Sequence, residues 1–288
     1  AALSAFNFQP QGEFITGLGQ IRIDARATSA VEAFEYWIST EGEAGALFSS
    51  HATVVPAISI SASVSATNVQ AVRLYNQNSA NPTTIQSLAN TGGGISITAN
   101  QNVVSTTIGS YLAAVNVLSA NGGITYSSNA VMSITEGNFT QNWGAKSGTS
   151  VSSSVADVNW IVNGLDGNYN TTLINTSGAV NVQPFASTFG SDIEWWADVN
   201  DASRLTIGSN STIATATYDV LINSISTVSG PIEIFADSIP FSTGDHLFST
   251  RAGSKILLKA KTDVSGTNGS GRTFTTHSRI QTNNGDII

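Results

Sequence analysis

Asp192-Ile-Glu-Trp-Trp-Ala-Asp198 is the stretch of this chain where residues able to do chemistry gather at regular spacing. Alternate side chains of an extended strand share a face. Asp192, Glu194, Trp196 and Asp198 would then point one way, and Ile193, Trp195 and Ala197 the other. Paired carboxylates beside an aromatic ring suit glycosidic cleavage, which needs one acid and one base or nucleophile around a stacked sugar. The same group could bind a carbohydrate or a cation without turnover. Charges on an exposed strand also discourage edge-to-edge pairing, and this structural role is the favoured reading. Arg204 is the basic residue near that strand, fewer than an enzyme acting on acidic sugars would want. One of the adjacent tryptophans is expected in the core and the other outside.

Other candidate motifs point to turns. Asp166, Asn168 and Asn170 alternate around Gly167 but miss the spacing and closing Glu of a calcium loop. The glycines 92–94 lack the lysine and following helix of a phosphate loop, and read as a corner. His51, His246 and His277 stand far apart, so no metal site is expected, nor any cofactor. No Gly-x-Ser-x-Gly elbow occurs. Sequons at Asn138, Asn170, Asn175, Asn210 and Asn268 are what a chain this rich in Asn, Ser and Thr yields by chance.

The elements that would position these residues are set by an internal repeat. One phrase recurs: an apolar residue, a few small polar ones, a glycine turn, then alternation led by Ile and closed by Ala. It is clearest across residues 225–260, and returns as Leu88-Ala-Asn-Thr-Gly-Gly-Gly-Ile95, Leu118-Ser-Ala-Asn-Gly-Gly-Ile124, Ile174-Asn-Thr-Ser-Gly-Ala-Val180 and Ile280-Gln-Thr-Asn-Asn-Gly-Asp-Ile287. Ile95, Ile124, Val180, Ile232, Ile256 and Ile287 are separated by 29, 56, 52, 24 and 31 residues. Weaker echoes at Val151 and Leu205 halve the two long steps. A period near 27 carried by strands implies a solenoid whose turns bury their apolar faces against one another. The expected fold is all-β: a right-handed parallel β-helix with inward Ile, Val, Leu and Ala, and with room for inserted loops or a small β-sandwich module. Roughly ten turns, each adding about 4.8 Å, give a rod on the order of 50 Å long. A string of β-sandwiches, with antiparallel pairing, is the rival.

Residues 1–288 are expected to form one continuous solenoid, least regular over 26–90, where the 74-residue step from Ile21 to Ile95 should hold about three turns. Residues 31–38 alternate as a strand, although a short helix fits too, and residues 57–66 alternate apolar residues with serine. Residues 76–84, 163–170 and 262–275 read as loops or turns, residues 136–148 as a polar projection, and residues 212–226 as two strands.

Charged residues are only 10% of the chain, which carries 11 Lys and Arg scattered singly and a net charge of −8. No basic stripe exists to neutralise phosphates, so nucleic acid is not an expected partner. There are no cysteines and no apolar run long enough to cross a bilayer, so no membrane insertion is expected. The chain opens at Ala1 and closes inside the repeated phrase, as a segment of a much longer polypeptide would.

At Gly253-Ser-Lys-Ile-Leu-Leu-Lys-Ala260 and Ser278-Arg-Ile-Gln-Thr-Asn-Asn-Gly-Asp-Ile-Ile288, the chain resembles the repeat regions of giant bacterial surface adhesins. These are filamentous-haemagglutinin-like proteins and the long adhesins of Bacteroidetes, including those of gliding motility. The resemblance covers about 200 residues in scattered phrases. It implies a secreted filament on the bacterial cell surface, with surface glycans or cells and the flanking segments of the same polypeptide as partners. It carries over no catalytic residue. The competing functional class is a β-helical polysaccharide lyase or glycoside hydrolase.

Overall fold

The computed structural model describes residues 6–8, 13–28, 32–38, 45–66, 68–76, 82–141, 156–167, 172–242, 245–266 and 279–288. Their strands form one continuous sheet of 25 strands, and every pairing between them is parallel. The chain is a parallel β-helix. Antiparallel pairing, which a sandwich needs, does not occur among the described residues.

Each turn passes over three faces. The first face holds Phe34–Ile38, Val72–Asn76, Gly164–Gly167, Ile193–Trp195 and Val220–Ile222. The second holds Leu47–Ser50, Thr83–Ser87, Thr172–Asn175, Ala197–Ala202 and Ile225–Val228. The third holds Ile21–Ala27, Ile58–Val64, Ile95–Asn100, Ile124–Ser128, Val158–Val162, Ala179–Pro184 and Arg204–Ile207. Four longer strands bend round a corner and serve two faces. Ile108–Ser119 and Val131–Gln141 join the first to the second, and Ile232–Phe241 and Ile256–Gly266 join the third to the first. Ala114, at φ 52°, sits at the register shift where the first of these bends.

The repeated phrase becomes register on the third face. Ile21, Ile58, Ile95, Ile124, Val158, Val180, Leu205, Ile232 and Ile256 stack in one inward column, and Ile287 bridges to Ile256 at the exposed end of it. Nine spacings of about 4.8 Å make that column about 43 Å long. The residues two positions on form a second inward column, Ile23, Ile60, Ile97, Tyr126, Trp160, Val182, Ile207 and Ile234. Ala25, Ala62 and Ala99 follow beside the corner. The core thus takes large aromatics as well as aliphatics: Trp160 and Trp195 meet from two faces with centroids 5.6 Å apart, and Phe48 packs edge-on to Phe34 at 6.4 Å.

Glycine corners lead into this face. A hydroxyl three residues earlier donates to the glycine carbonyl at Thr16 and Gly19, at Ser119 and Gly122 (2.6 Å), and at Thr282 and Gly285 (2.7 Å). Small polar residues before glycine are therefore corner ties. A Cβ on Gly122 would lie 2.3 Å from Gly94 N, one on Gly178 2.1 Å from Ala156 O, and one on Gly230 1.9 Å from Ser203 O. Backbone of successive turns touches there.

Several expectations change. Ile21 to Ile95 is two turns of 37 residues, not three, because more residues separate the strands there while the register stays intact. Leu205 is a rung as expected, but the rung between Ile124 and Val180 is Val158, and Val151 lies outside the described residues. Residues 137–140, expected to project, pair with Val115–Leu118 on one side and Thr172–Asn175 on the other, so backbone pairing overrides their polarity. Residues 164–167, expected as a turn, form a strand on the first face, and the strand from Ile256 runs on to Gly266. Phe34–Ile38 is strand, as its alternation implies. Of residues 212–226, the first part is a 3-10 turn at Ile213–Thr215 and two strands follow.

Gly230→Ala should cost about 3 kcal/mol, because its Cβ meets backbone that cannot step aside. Gly17→Ala, with nothing within 4 Å, should change stability by less than about 1 kcal/mol. Urea unfolding of the two variants measures both.

Candidate functional site

The acidic segment straddles a corner. Ile193–Trp195 belongs to the first face and Ala197–Ala202 to the second, so the chain turns at Trp196. Ile193, Trp195, Ala197 and Val199 are buried, and Glu194, Trp196 and Asp198 are half-buried between them. Alternation holds, and Trp195 is the core tryptophan. The single shared outer face does not: Asp198 lies on a different side of the rod from Glu194, because the polygonal cross-section bends the strand between them.

Two of the carboxylates act as ties between turns. Asp192 Oδ1 accepts from the Asp219 N–H at 2.9 Å, and Asp198 Oδ1 accepts from the Ile225 N–H at 2.8 Å, each 27 residues on. The same device recurs outside the segment, where Asp157 accepts from Ala179 N–H at 2.8 Å and Asp219 from Ser238 N–H at 3.0 Å. Three of these bonds sit where a strand begins, and the one to Ser238 sits at the register shift where Ile232–Phe241 bends, places where an N–H would otherwise lack a ladder partner.

Glu194 is different. It stands above Asp166, since Leu165 pairs with Ile193, a neighbour the sequence hid because residues 163–170 read as a turn. Burial raises the Glu194 carboxyl above the usual range, the Asp166 and Asp192 charges add to this, and the Trp196 indole, donating at 3.4 Å, opposes it. Trp196 is no open platform. Its ring lies on Gly167, where a Cβ would fall 1.8 Å from Cδ1. The cleft between Glu194, Trp196, Gly167 and Thr172 holds only about 10 Å³, the size of a single water. Arg204 is on the third face, donating to Asn181 Oδ1 at 3.5 Å, away from these acids.

The other weighed motifs also resolve into structure. Gly92, Gly93 and Gly94 form a corner, all with positive φ. Asn168 and Asn170 lie outside the described residues, as does His277. Among the described residues no group of three His, Asp or Glu side chains could hold a metal ion, and no helix is long and apolar enough to cross a membrane.

Sequence reasoning missed two features. Asp245, at the first-to-second corner, is buried, and burial pushes its carboxyl up to about 6, with the Asp198 charge adding and the Ser242 backbone opposing. The second feature is a groove of about 610 Å³ on the third face, between residues 183–187 and the loop 208–212. The signal was available in the break of the repeat at residues 208–218, where polar residues replace a strand. Comparison with protein families, curated proteins and solved structures finds no match.

Because the folded Asp245 carboxyl titrates above its ordinary value of 3.8, the folded state favours its protonated form. That advantage is complete below pH 3.8 and is lost as pH rises to about 6. Asp245→Asn should therefore stabilise the protein at pH 7 by up to about 3 kcal/mol and hardly at all at pH 3.5, in urea melts at the two pH values. Asp198→Ala, which strips the Ile225 N–H of its acceptor, should cost about 1 kcal/mol by the same assay.

Proposed function

We propose that this chain is a structural and adhesive segment of a long bacterial surface filament, secreted and working outside the cell. The observation that carries the reading is the use of the acidic residues. Where an enzyme would hold carboxylates free around a substrate, Asp192 and Asp198 are bonded to the next turn, and the cleft at Glu194 admits no sugar. What surrounds them is what a filament asks for: rungs in register, one continuous apolar core, and a coat of short polar side chains. The resemblance to adhesin repeats supports the same reading, with glycans or cells as the surfaces met.

Beads coated with the protein should attach to bacterial or polysaccharide-coated surfaces more than albumin-coated beads do. Incubation with a panel of polysaccharides should release no new ends. Cleavage that Glu194→Gln abolishes would establish the rival enzyme, with Glu194 and Asp166 as its carboxylates.

A further inference from the structure

Residues 208–218 replace a direct passage from the third face to the first, and this loop is pinned on all sides. Gly208 N–H donates to Val182 O at 2.9 Å, and the Tyr218 hydroxyl donates to Phe235 O at 2.9 Å. Lys261 reaches Ala216 O at 3.0 Å, and Lys259 reaches Asn210 Oδ1 at 2.7 Å. Gly208 has φ +78°, and a Cβ there would lie 2.5 Å from Phe235 O. Underneath, Tyr218 packs edge-on to Phe189 of the preceding turn, centroids 4.7 Å apart, so both walls of the groove share one support. A spacer needs no such wall. A binding site does, since rigidity before binding removes an ordering cost.

The groove floor also holds what the acidic segment lacks. Gln183 and Glu233 both point outward on the third face, Glu233 two rungs on and two positions nearer the strand start, and neither makes a hydrogen bond or ion pair among the described residues. Ser209, Ser211 and Thr212 line the opposite wall, and Pro184 and Leu257 give apolar patches between them. Amides and hydroxyls both donate and accept, and a lone carboxylate accepts from two neighbouring hydroxyls. That combination, with an apolar strip for C–H faces, matches a neutral polyol. Glu233 argues against a polyanion, and the nearest ammonium, Lys259, is engaged by Asn210. An extended peptide finds no sheet edge here, because strands on both sides take up the backbone of this face.

We propose that this groove is a binding site for neutral saccharides, formed by Gln183 and Glu233 on the floor and the pinned loop 208–212 as its wall. The inference deepens the adhesive reading and rests on it. The test is an array of immobilised neutral glycans, ending in glucose, galactose, mannose or N-acetylglucosamine, with heparin, alginate and an unstructured peptide alongside. At least one neutral glycan should be retained. Glu233→Gln and Gln183→Ala should each weaken that retention about tenfold or more with melting unchanged, whereas Glu194→Gln should leave it intact. Retention of none of the neutral glycans, retention of heparin, alginate or peptide only, or retention indifferent to both groove variants would overturn the proposal. Coated beads separate the two ideas. Beads that attach equally well with wild-type and Glu233→Gln protein leave the filament standing without the groove, and beads that never attach sink the adhesive reading itself.

Discussion

Close contact of backbone with backbone at the glycine corners is the constraint on which the solenoid depends. At the corner between the second and third faces, successive turns one strand spacing apart come so close that at many rungs one of the two touching residues must be glycine. Gly122, Gly178, Gly230 and Gly285 each stand where a Cβ would collide with the turn before. The hydroxyl ties from Ser119 and Thr282 then fix the bend from which the next Ile enters the core. Once that bend is set, the alternation of Ile, Ile and Ala points inward by the two-residue period of a strand, and the core columns follow.

The same spacing explains the acids. A parallel stack offers backbone N–H groups at corners where a strand starts or bends, and an Asp on the preceding turn is within reach of one. Asp157, Asp192, Asp198 and Asp219 are all used in this way. A carboxylate accepting from the backbone of the next turn ties two rungs together, at a cost where burial is deep. Asp245, which makes no such tie among the described residues and is raised by burial to about 6, shows the cost of burying a carboxylate in this stack. The charge that gives the chain its acidic balance is in part a set of staples.

Much of this was legible in the sequence because the register column and the phrase are the same thing. Ile95, Ile124, Val180, Ile232, Ile256 and Ile287 were readable as one position of a repeat, and they stack. Val158 was hidden because no glycine precedes it, and the two 37-residue turns because the spacing between rungs is not constant along the chain. Polarity misled at residues 137–140 and 164–167, since an outward position accepts almost any residue once backbone pairing holds the strand. The acidic segment was seen, yet its alternation could not show the corner at Trp196 or the neighbour Asp166. Those depend on which turn lies below. The groove was invisible for the opposite reason: Gln183 and Glu233, which line it, are fifty positions apart and share one groove only through stacking.

The most direct test of this account is distance along the stack. The chain has no cysteine, so pairs can be introduced without background and spin-labelled. Ser59, Asn181 and Leu257 lie at one outward position of the third face, four and seven rungs apart from Ser59. Pulsed electron paramagnetic resonance on the Ser59→Cys, Asn181→Cys and Ser59→Cys, Leu257→Cys doubles should give backbone separations of about 19 and 34 Å, narrow and in proportion to the number of rungs. Distances that do not scale with rung count would contradict the stack.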